Sequence, residues 1–527
     1  MQRIPHNIAE NPYKSYYLPH HAVYKPESKT SKLRVVFNAS CPTSNGVSLN
    51  DILYTGPALQ ADLTIMITKW RLFRFVFNAD IEKMYRQILV NSKHTSYQRI
   101  LFKDSLDGEV NEFQLNRVTF GLNCAPYLAI RTLMELAEDS KSAFPLAAKI
   151  IKANTYVDDV LSGAHEISTA IDSRDQLIKL LASAGFPLRK WTSNCKKILR
   201  GIPNDHLLTT DFLEFDSSSE AKTLGIRWNA RSDNFYFSTK PLDNKDSFTK
   251  REVLSMIAKL FDPAGWLSPV IIVAKILMQD IWLEKTDWDE ALTSKSLKQW
   301  KTFLENYPHI NNIRIPRWVC YTPSCQVQFH GFCDASEKAY GAAIYLRVQV
   351  NDHEIKTGLL LAKTKVAPVK TISIPRLELS GALLLAKMVE YLQPKLDIVH
   401  QGIYLWTDST IVLAWLRKPP CSWSTFVANR LSKICEHTQI GNWRHVNSED
   451  NPADLASRGI SPQDLQPNDL WWCGPKWLKH QPSEWPNQNY AVDVDTTLSR
   501  AFVYIIDQLL RPKMFWNVFP NFQEHSA

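Results

Sequence analysis

The sequence predicts a multidomain protein built from α+β and α/β domains, and three observations lead there. A chain of 527 residues is too long for a single hydrophobic core and suggests three or four domains of ordinary size. From Leu33 to about Asn194 strand-like and helix-like patterns alternate, and a second alternation begins near Phe332. In both blocks isolated acidic residues fall where strands end or helices start.

Taken in order, residues 1–31 read as an extended lead-in containing Pro and Tyr rather than a complete domain. The run Val76-Phe77-Asn78-Ala79 is strand-like and delivers Asp80. A helix is expected over 127–141, opened by Pro126. Its buried face would carry Leu128, Ile130, Leu133, Met134 and Ala137, with Arg131 pointing elsewhere. A second amphipathic helix over 167–184 ends at Gly185. Helical patterns rich in Trp, Leu and Lys follow at 251–261, 270–283 and 294–306. Beyond them comes a strand holding Phe332-Cys333-Asp334-Ala335-Ser336 and running on through 341–346, then a helix opened by Pro375-Arg376-Leu377-Glu378. The strand Tyr404-Leu405-Trp406-Thr407 leads to Asp408-Ser409 and a helix, and Asn451-Pro452-Ala453-Asp454 starts the last one.

The first chemical signal is Tyr156-Val157-Asp158-Asp159, read with Asp80. Neighbouring carboxylates between apolar flanks repel by roughly 4 kcal/mol at 4 Å and an effective dielectric near 20. A cation should therefore sit between them. Two Mg²⁺ ions about 3.5–4 Å apart, held by carboxylates from two strands, align a 3′-hydroxyl with a nucleotide α-phosphate for in-line displacement. The plain alternative is a β-hairpin tip, where Asp is a common turn residue. The order of the surrounding segments decides for a polymerase palm: Asp80, then Tyr85 as a filter under the incoming sugar, then Thr119-Phe120-Gly121-Leu122-Asn123-Cys124-Ala125-Pro126, the acidic pair, Gly185-Phe186-Pro187-Leu188-Arg189-Lys190-Trp191, and Thr223-Leu224-Gly225-Ile226-Arg227-Trp228.

A second constellation orders Asp334, Glu378, Asp408 and Asp454 on strand, helix, strand end and helix start. Four carboxylates around two Mg²⁺ ions can activate a water and stabilise a departing 3′-oxygen. Singly each has an ordinary role: turn cap, first-turn helix residue, or helix cap. Jointly, with Ser409 after Asp408 and His445 in Trp443-Arg444-His445-Val446-Asn447, they read as a nuclease centre. A plain loop histidine is the competing role for His445.

The first series resembles reverse transcriptases from fingers to primer grip, and the second resembles the ribonuclease H fold. Lys32-Leu33-Arg34-Val35-Val36-Phe37-Asn38-Ala39-Ser40, Asp80-Ile81-Glu82-Lys83-Met84-Tyr85-Arg86-Gln87-Ile88 and Leu260-Phe261-Asp262-Pro263-Ala264-Gly265-Trp266-Leu267-Ser268-Pro269 sharpen the likeness. The chain resembles BEL/Pao retrotransposon Pol polyproteins from about residue 15 to 480, departing at Asn38, where that family carries Asp.

The resemblance implies a truncated-fingers lead-in at 1–31, reverse transcriptase fingers and palm at 32–230, and a thumb/connection at 231–325. It further implies a ribonuclease H-like domain at 326–462 and a tail at 463–527 preceding an integrase. It implies Asp80, Asp158 and Asp159 as the polymerase metal set, with Mg²⁺ or Mn²⁺ as cofactor. Lys32 and Arg34 would contact the incoming triphosphate, Gly121 would line the substrate site, Lys190 would touch the leaving pyrophosphate, and Gly225 would let the backbone approach the primer. His445 would assist product release or proton transfer. Expected partners are an RNA template, a DNA primer, RNA/DNA hybrid and dNTPs, with other Pol and Gag products of the element. The expected place is the cytoplasm, in virus-like particles, or the nucleus.

Composition agrees. A formal charge of +8 favours an anionic partner, and most of the seventeen tryptophans should fill cores. Nine cysteines without a CxxC pair read as reduced thiols. No leader-like start and no run of about 18 apolar residues appears, so a soluble intracellular protein is expected. Two other readings stay open. One is a degenerate or domesticated element protein that binds nucleic acid without catalysis. The other is an aspartic peptidase, because residues 231–325 resemble a region labelled Pao retrotransposon peptidase; no Asp-Thr-Gly or Asp-Ser-Gly loop occurs in the sequence.

Overall fold

The computed structural model describes residues 1–4, 15–24, 26, 32–103, 105, 107–208, 212–215, 226–239 and 245–486. The chain divides into two compact units, one holding the described residues of 1–213 with 230–233, the other those of 214–229 and 234–486.

In the first unit a four-stranded antiparallel sheet runs in the order Thr155–Tyr156, Asp159–Ala164, Phe75–Ile81, Leu188–Ser193. Side chains alternate across a strand. Phe77, Ala79 and Ile81 share one core with Val160 and Ala164, packed by residues of the helices Ala125–Asp139, Pro145–Ala153 and Ile167–Ser183. That alternation turns Asp80 and Asp159 to the opposite face. The helix expected over 127–141 spans Ala125–Asp139. Its buried stripe is Ala125, Ala129, Leu133 and Ala137; Leu128 is exposed, and Ile130 and Met134 are half-buried. Alanines four apart give a smooth face on which the neighbouring helix Pro145–Ala153 lies close, so the small residues, not the large ones, mark the buried side.

Two further small sheets complete this unit. The hairpin His20–Tyr24 with Leu33–Phe37 carries Arg34, and Gln2–Arg3, Val110–Gln114 and Arg99–Lys103 form an antiparallel trio. A second core, including Leu18, Ala39, Leu49, Ile100, Val118 and Leu122, lies under them.

The second unit is built on a five-stranded sheet in the order Glu354–Val366, Ala339–Asn351, Gln326–Ala335, Gly402–Thr407, Trp443–His445. The first three strands are antiparallel, and the last two run parallel to Gln326–Ala335. The single strand expected from Phe332 through 346 is therefore two strands, broken by a turn at 336–338. Ser336 makes that turn: its amide donates to the Ala339 carbonyl at 2.8 Å and its hydroxyl accepts the Ala339 amide at 3.1 Å.

The helices Lys250–Ala258, Ser268–Leu283 and Ser294–Asn306 belong to this same unit. A tight turn fastens the segment to the sheet. Asp262 accepts the Trp266 and Leu267 amides at 3.0 and 2.6 Å, Ala362 N donates to Ala264 O at 2.9 Å, and Trp266 Nε1 donates to Leu360 O at 3.1 Å. Gly265 has φ +68°, and a Cβ there would lie 1.8 Å from the Ala362 carbonyl oxygen. Gly265→Ala is expected to destabilise this unit by about 2–4 kcal/mol, because it combines left-handed strain with a backbone clash that cannot relax without moving the edge strand. Denaturant unfolding checks this; a midpoint unchanged from wild type would show that the turn does not hold the segment.

The stretch 463–486 packs on the same sheet rather than trailing away. Tyr345 Oη donates to Trp471 O at 2.7 Å and Arg347 Nε to Leu478 O at 2.7 Å. Trp70, Trp191, Trp228, Trp266, Trp300, Trp406, Trp423 and Trp471 are fully buried, as expected of core fillers. All nine cysteines are free thiols. Among the described residues no helix is long and apolar enough to cross a membrane.

Candidate active sites

In the first unit the antiparallel register sets Asp80 directly opposite Asp159, and the Ile81 amide donates to the Asp158 carbonyl at 2.7 Å. The pair Tyr156↔Asp159 closes a hairpin over Val157 and Asp158. Val157 takes a left-handed φ of 53°, strained for a β-branched residue. Gln60 clamps the hairpin, accepting the Val157 amide at 2.8 Å and donating to Thr155 O at 3.1 Å. Nothing in the sequence singled out Gln60.

Burial pushes the Asp159 carboxyl up to about 8, with Asp158 and Asp80 adding to the shift. Burial and then Asp80 raise Asp158 too. The cluster is short of positive charge even though Lys190, itself at a left-handed φ of 54°, donates to Asp80 Oδ2 at 2.8 Å. Burial opposes the Lys190 charge, but Asp80, Asp159 and Asp158 outweigh it and raise its pKa. Three carboxylates facing one lysine suit a divalent cation.

Tyr85 packs against Phe120 with ring centroids 4.9 Å apart and the planes tilted by 59°, and burial, with Asp158 adding, pushes its phenol up to about 12. It therefore stays neutral beside the carboxylates. Gly121, at φ +92°, leaves only 2.3 Å between a hypothetical Cβ and the Phe37 carbonyl oxygen. Asn50, which sequence reasoning missed, ties this corner together by donating to Ser40 Oγ at 2.8 Å and Gly121 O at 2.9 Å while accepting the Asn123 amide at 2.9 Å. Lys32 and Arg34 are exposed at the hairpin. Asn38 accepts the Ser40 amide at 3.1 Å. Gly225 lies outside the described residues.

In the second unit, parallel pairing sets Cys333 beside Thr407, so the next residues, Asp334 and Asp408, emerge together at adjacent strand ends. The helix Ile374–Leu396 brings Glu378 to them. Gly381 permits the approach, since a Cβ there would lie 3.0 Å from the Asp334 carbonyl oxygen. Asp334, Glu378 and Asp408 each offer an oxygen within 4.8 Å of the others, the one such set among the described residues; Asp80, Asp158 and Asp159 do not gather that tightly. Asp334 is 2% exposed and Glu378 8%. Ser457 donates to Asp334 Oδ2, Ser448 Oγ to Asp408 Oδ2 at 2.6 Å, and Asn451 Nδ2 to Cys333 O at 3.0 Å. Glu378 Oε2 and Asp408 Oδ1 are buried with no hydrogen-bond partner. Such oxygens are costly unless a cation meets them. The residues fit a divalent ion.

Asp454 does not join this set. It begins the helix Ala453–Arg458, and its Oδ1 accepts Arg458 Nε one turn on, an i,i+4 pairing that holds the carboxylate aside. His445 ends the strand Trp443–His445, opposite Thr407 and next to Asp408 in the sheet. Ser457 and Asn451 fall inside the segment read around Asp454, where three-residue helical spacing was the available signal for Ser457. Ser448 carried none.

Burial pushes Glu378 up to about 9 and Asp334 to about 7, with neighbouring carboxylates adding to both. These folded values lie above those of the unfolded chain, so the neutral carboxyls cost nothing at low pH. The penalty grows as pH rises from about 4.5 toward 9. Without divalent ions, wild type should therefore lose stability against Glu378→Gln across that window, on the order of 2–4 kcal/mol by pH 9. Excess Mg²⁺ should close the gap. Thermal unfolding of both proteins from pH 5 to 9 checks it; parallel curves with no Mg²⁺ effect would contradict a cation-requiring cluster.

Residues 249–409 match the family model described as Pao retrotransposon-like RNaseH-like domain. That match begins within the helical segment expected as thumb/connection and carries through Asp334, Glu378 and Asp408, bearing out the BEL/Pao resemblance there. No curated protein matches the chain. Among solved structures it resembles the foamy viral protease-reverse transcriptase dRH in complex with ds DNA, at 13% identity and TM-score 0.54, covering 82% of this chain and 65% of that one. It also resembles the foamy viral protease-reverse transcriptase in complex with RNA/DNA hybrid, at 12% identity and TM-score 0.50, covering 83% and 51%. The chain spans less than two thirds of either structure's length. At these identities the likeness establishes the fold, and the multidomain α+β and α/β architecture of the reverse transcriptase type holds.

Proposed function

With a Pao retrotransposon-like RNaseH-like domain matched at 249–409, we propose that this chain is the polymerase and nuclease portion of a BEL/Pao-type retroelement. In this reading it performs RNA-directed DNA synthesis at Asp80, Asp158 and Asp159, and hydrolyses the RNA of the resulting hybrid at Asp334, Glu378 and Asp408. The observation that carries it is the trio of buried Asp334 and Glu378 with half-buried Asp408, and its two buried, unpartnered oxygens, Glu378 Oε2 and Asp408 Oδ1.

Bound Mg²⁺ would supply charge neutralisation and a polarised water or 3′-hydroxyl. The chain's own residues do the rest. Ser457 and Ser448 fix the rotation of Asp334 and Asp408, leaving their remaining oxygens toward Glu378. Gln60 holds the hairpin that presents Asp158 and Asp159. Neutral Tyr85 offers a flat wall, braced by Phe120, against which a deoxyribose fits and a 2′-hydroxyl does not. Lys190 neutralises Asp80 until substrate arrives and then can meet pyrophosphate oxygen.

Primer extension on poly(rA)/oligo(dT) and cleavage of a labelled RNA/DNA hybrid, both in Mg²⁺, test the two halves separately. A binding protein without catalysis is favoured by two ion pairs: Lys190 already engages Asp80, and Arg458 engages Asp454. Salt-dependent hybrid binding without incorporation or cleavage would select that reading.

A further inference from the structure

Beside the nuclease centre, within the second unit, lies a cavity of about 510 Å³, inside the range of about 300–1,000 Å³ usual for small-ligand sites. One wall is apolar, with Val273 and Ile276 from the helix Ser268–Leu283 and Phe303 from Ser294–Asn306. The remaining lining is cationic on balance: Lys298, Lys338 and Arg458, against one carboxylate, Asp280. Lys338 Nζ is 3.9 Å from Asp280 Oδ2, while Lys298 has no acidic partner among the described residues.

Two of these cations lie near the catalytic carboxylates. Lys338 follows Asp334 by four residues across the Ser336 turn, and Arg458, paired with Asp454, also feels the charges of Asp334 and Asp408. A strand gripped at the carboxylates thus has the cavity next to it. An apolar wall for a base and three cations for a phosphate match one nucleotide unit in size and in charge. A fatty acid would fill the wall, but it has no reason to lie at the nuclease rim.

We infer that this cavity holds one nucleotide of the cut strand where that strand runs single-stranded beyond the hybrid, its phosphate on Lys298, Lys338 and Arg458 and its base against Val273, Ile276 and Phe303. The inference rests on the nuclease reading for its source of ligand, not for the binding itself. The helical segment 250–306 then serves as part of the nuclease substrate surface.

Isothermal titration of the full chain with adenosine 5′-monophosphate tests it. One site per chain is expected, with binding at least about tenfold weaker for Lys298→Glu and for Thr302→Trp, the latter placing a ring in the cavity from an exposed helix position. Adenosine alone and inorganic phosphate alone should each bind at least about tenfold more weakly than the nucleotide. In hybrid cleavage Lys298→Glu should raise KM more than it lowers kcat. A flat titration, affinity indifferent to both substitutions, or tighter binding of a long-chain fatty acid than of the nucleotide would overturn the assignment. Intact nucleotide binding in a chain that cuts no hybrid would instead remove the nuclease reading and leave the site.

Discussion

Asp158→Asn combined with Asp159→Asn should abolish template-directed incorporation, lowering the rate on poly(rA)/oligo(dT) by on the order of 10³-fold or more, at least about 4 kcal/mol of barrier. The carboxamide keeps the shape of each side chain and removes its charge. In wild type, burial with Asp158 and Asp80 pushes Asp159 up to about 8, so near pH 7 the carboxyl is largely neutral until a bound cation draws it into the charged form. The double variant should therefore fold at least as well as wild type. A loss of activity accompanied by an unchanged or higher Tm assigns the effect to chemistry, not unfolding. Incorporation at the wild-type rate would remove these residues from the reaction.

Glu378→Gln should reduce hybrid cleavage by a comparable factor, on the order of 10³-fold, while hybrid affinity in gel shift stays within about threefold. Glu378 is pushed up to about 9 by burial, with Asp334 and Asp408 adding to the shift. Its Oε2 lacks any hydrogen-bond partner. Removing its charge relieves repulsion but takes away a ligand that no neighbour replaces. Asp334→Asn should act in the same direction, with an added loss of orientation because Asp334 also receives the Ser457 hydroxyl. Cleavage surviving both substitutions would show that the trio is a structural cluster.

The carboxylates were legible because backbone periodicity fixes where they go. Asp80 alternates with core residues Ala79 and Ile81, so a strand reading alone points it away from the helices. Asp334, Glu378 and Asp408 stand at strand ends and a helix start, where βαβ geometry gathers side chains. Gln60 and Asn50 were not legible: each reaches across the fold from a distant segment by one side chain, and neither periodicity nor composition marks such a reach. Asp454 was placed on the right helix, yet its rotation depends on Arg458 four residues on, a pairing visible in the sequence only once the helix is assumed. The buried face of Ala125–Asp139 was misjudged because large side chains were weighted over small ones. The break at Ser336 was missed because its hydroxyl, not a glycine or proline, makes the turn.

The seam at Gly265 reaches beyond local packing. Strand Glu354–Val366 is the rim of its sheet, and an open rim invites pairing with a foreign strand. Here the amide of Ala362 is already spoken for by Ala264. Any splice, insertion or proteolytic nick that parts those two segments would uncover a template for self-association. The helices packed on the five-stranded sheet are in this sense its guard rail against aggregation.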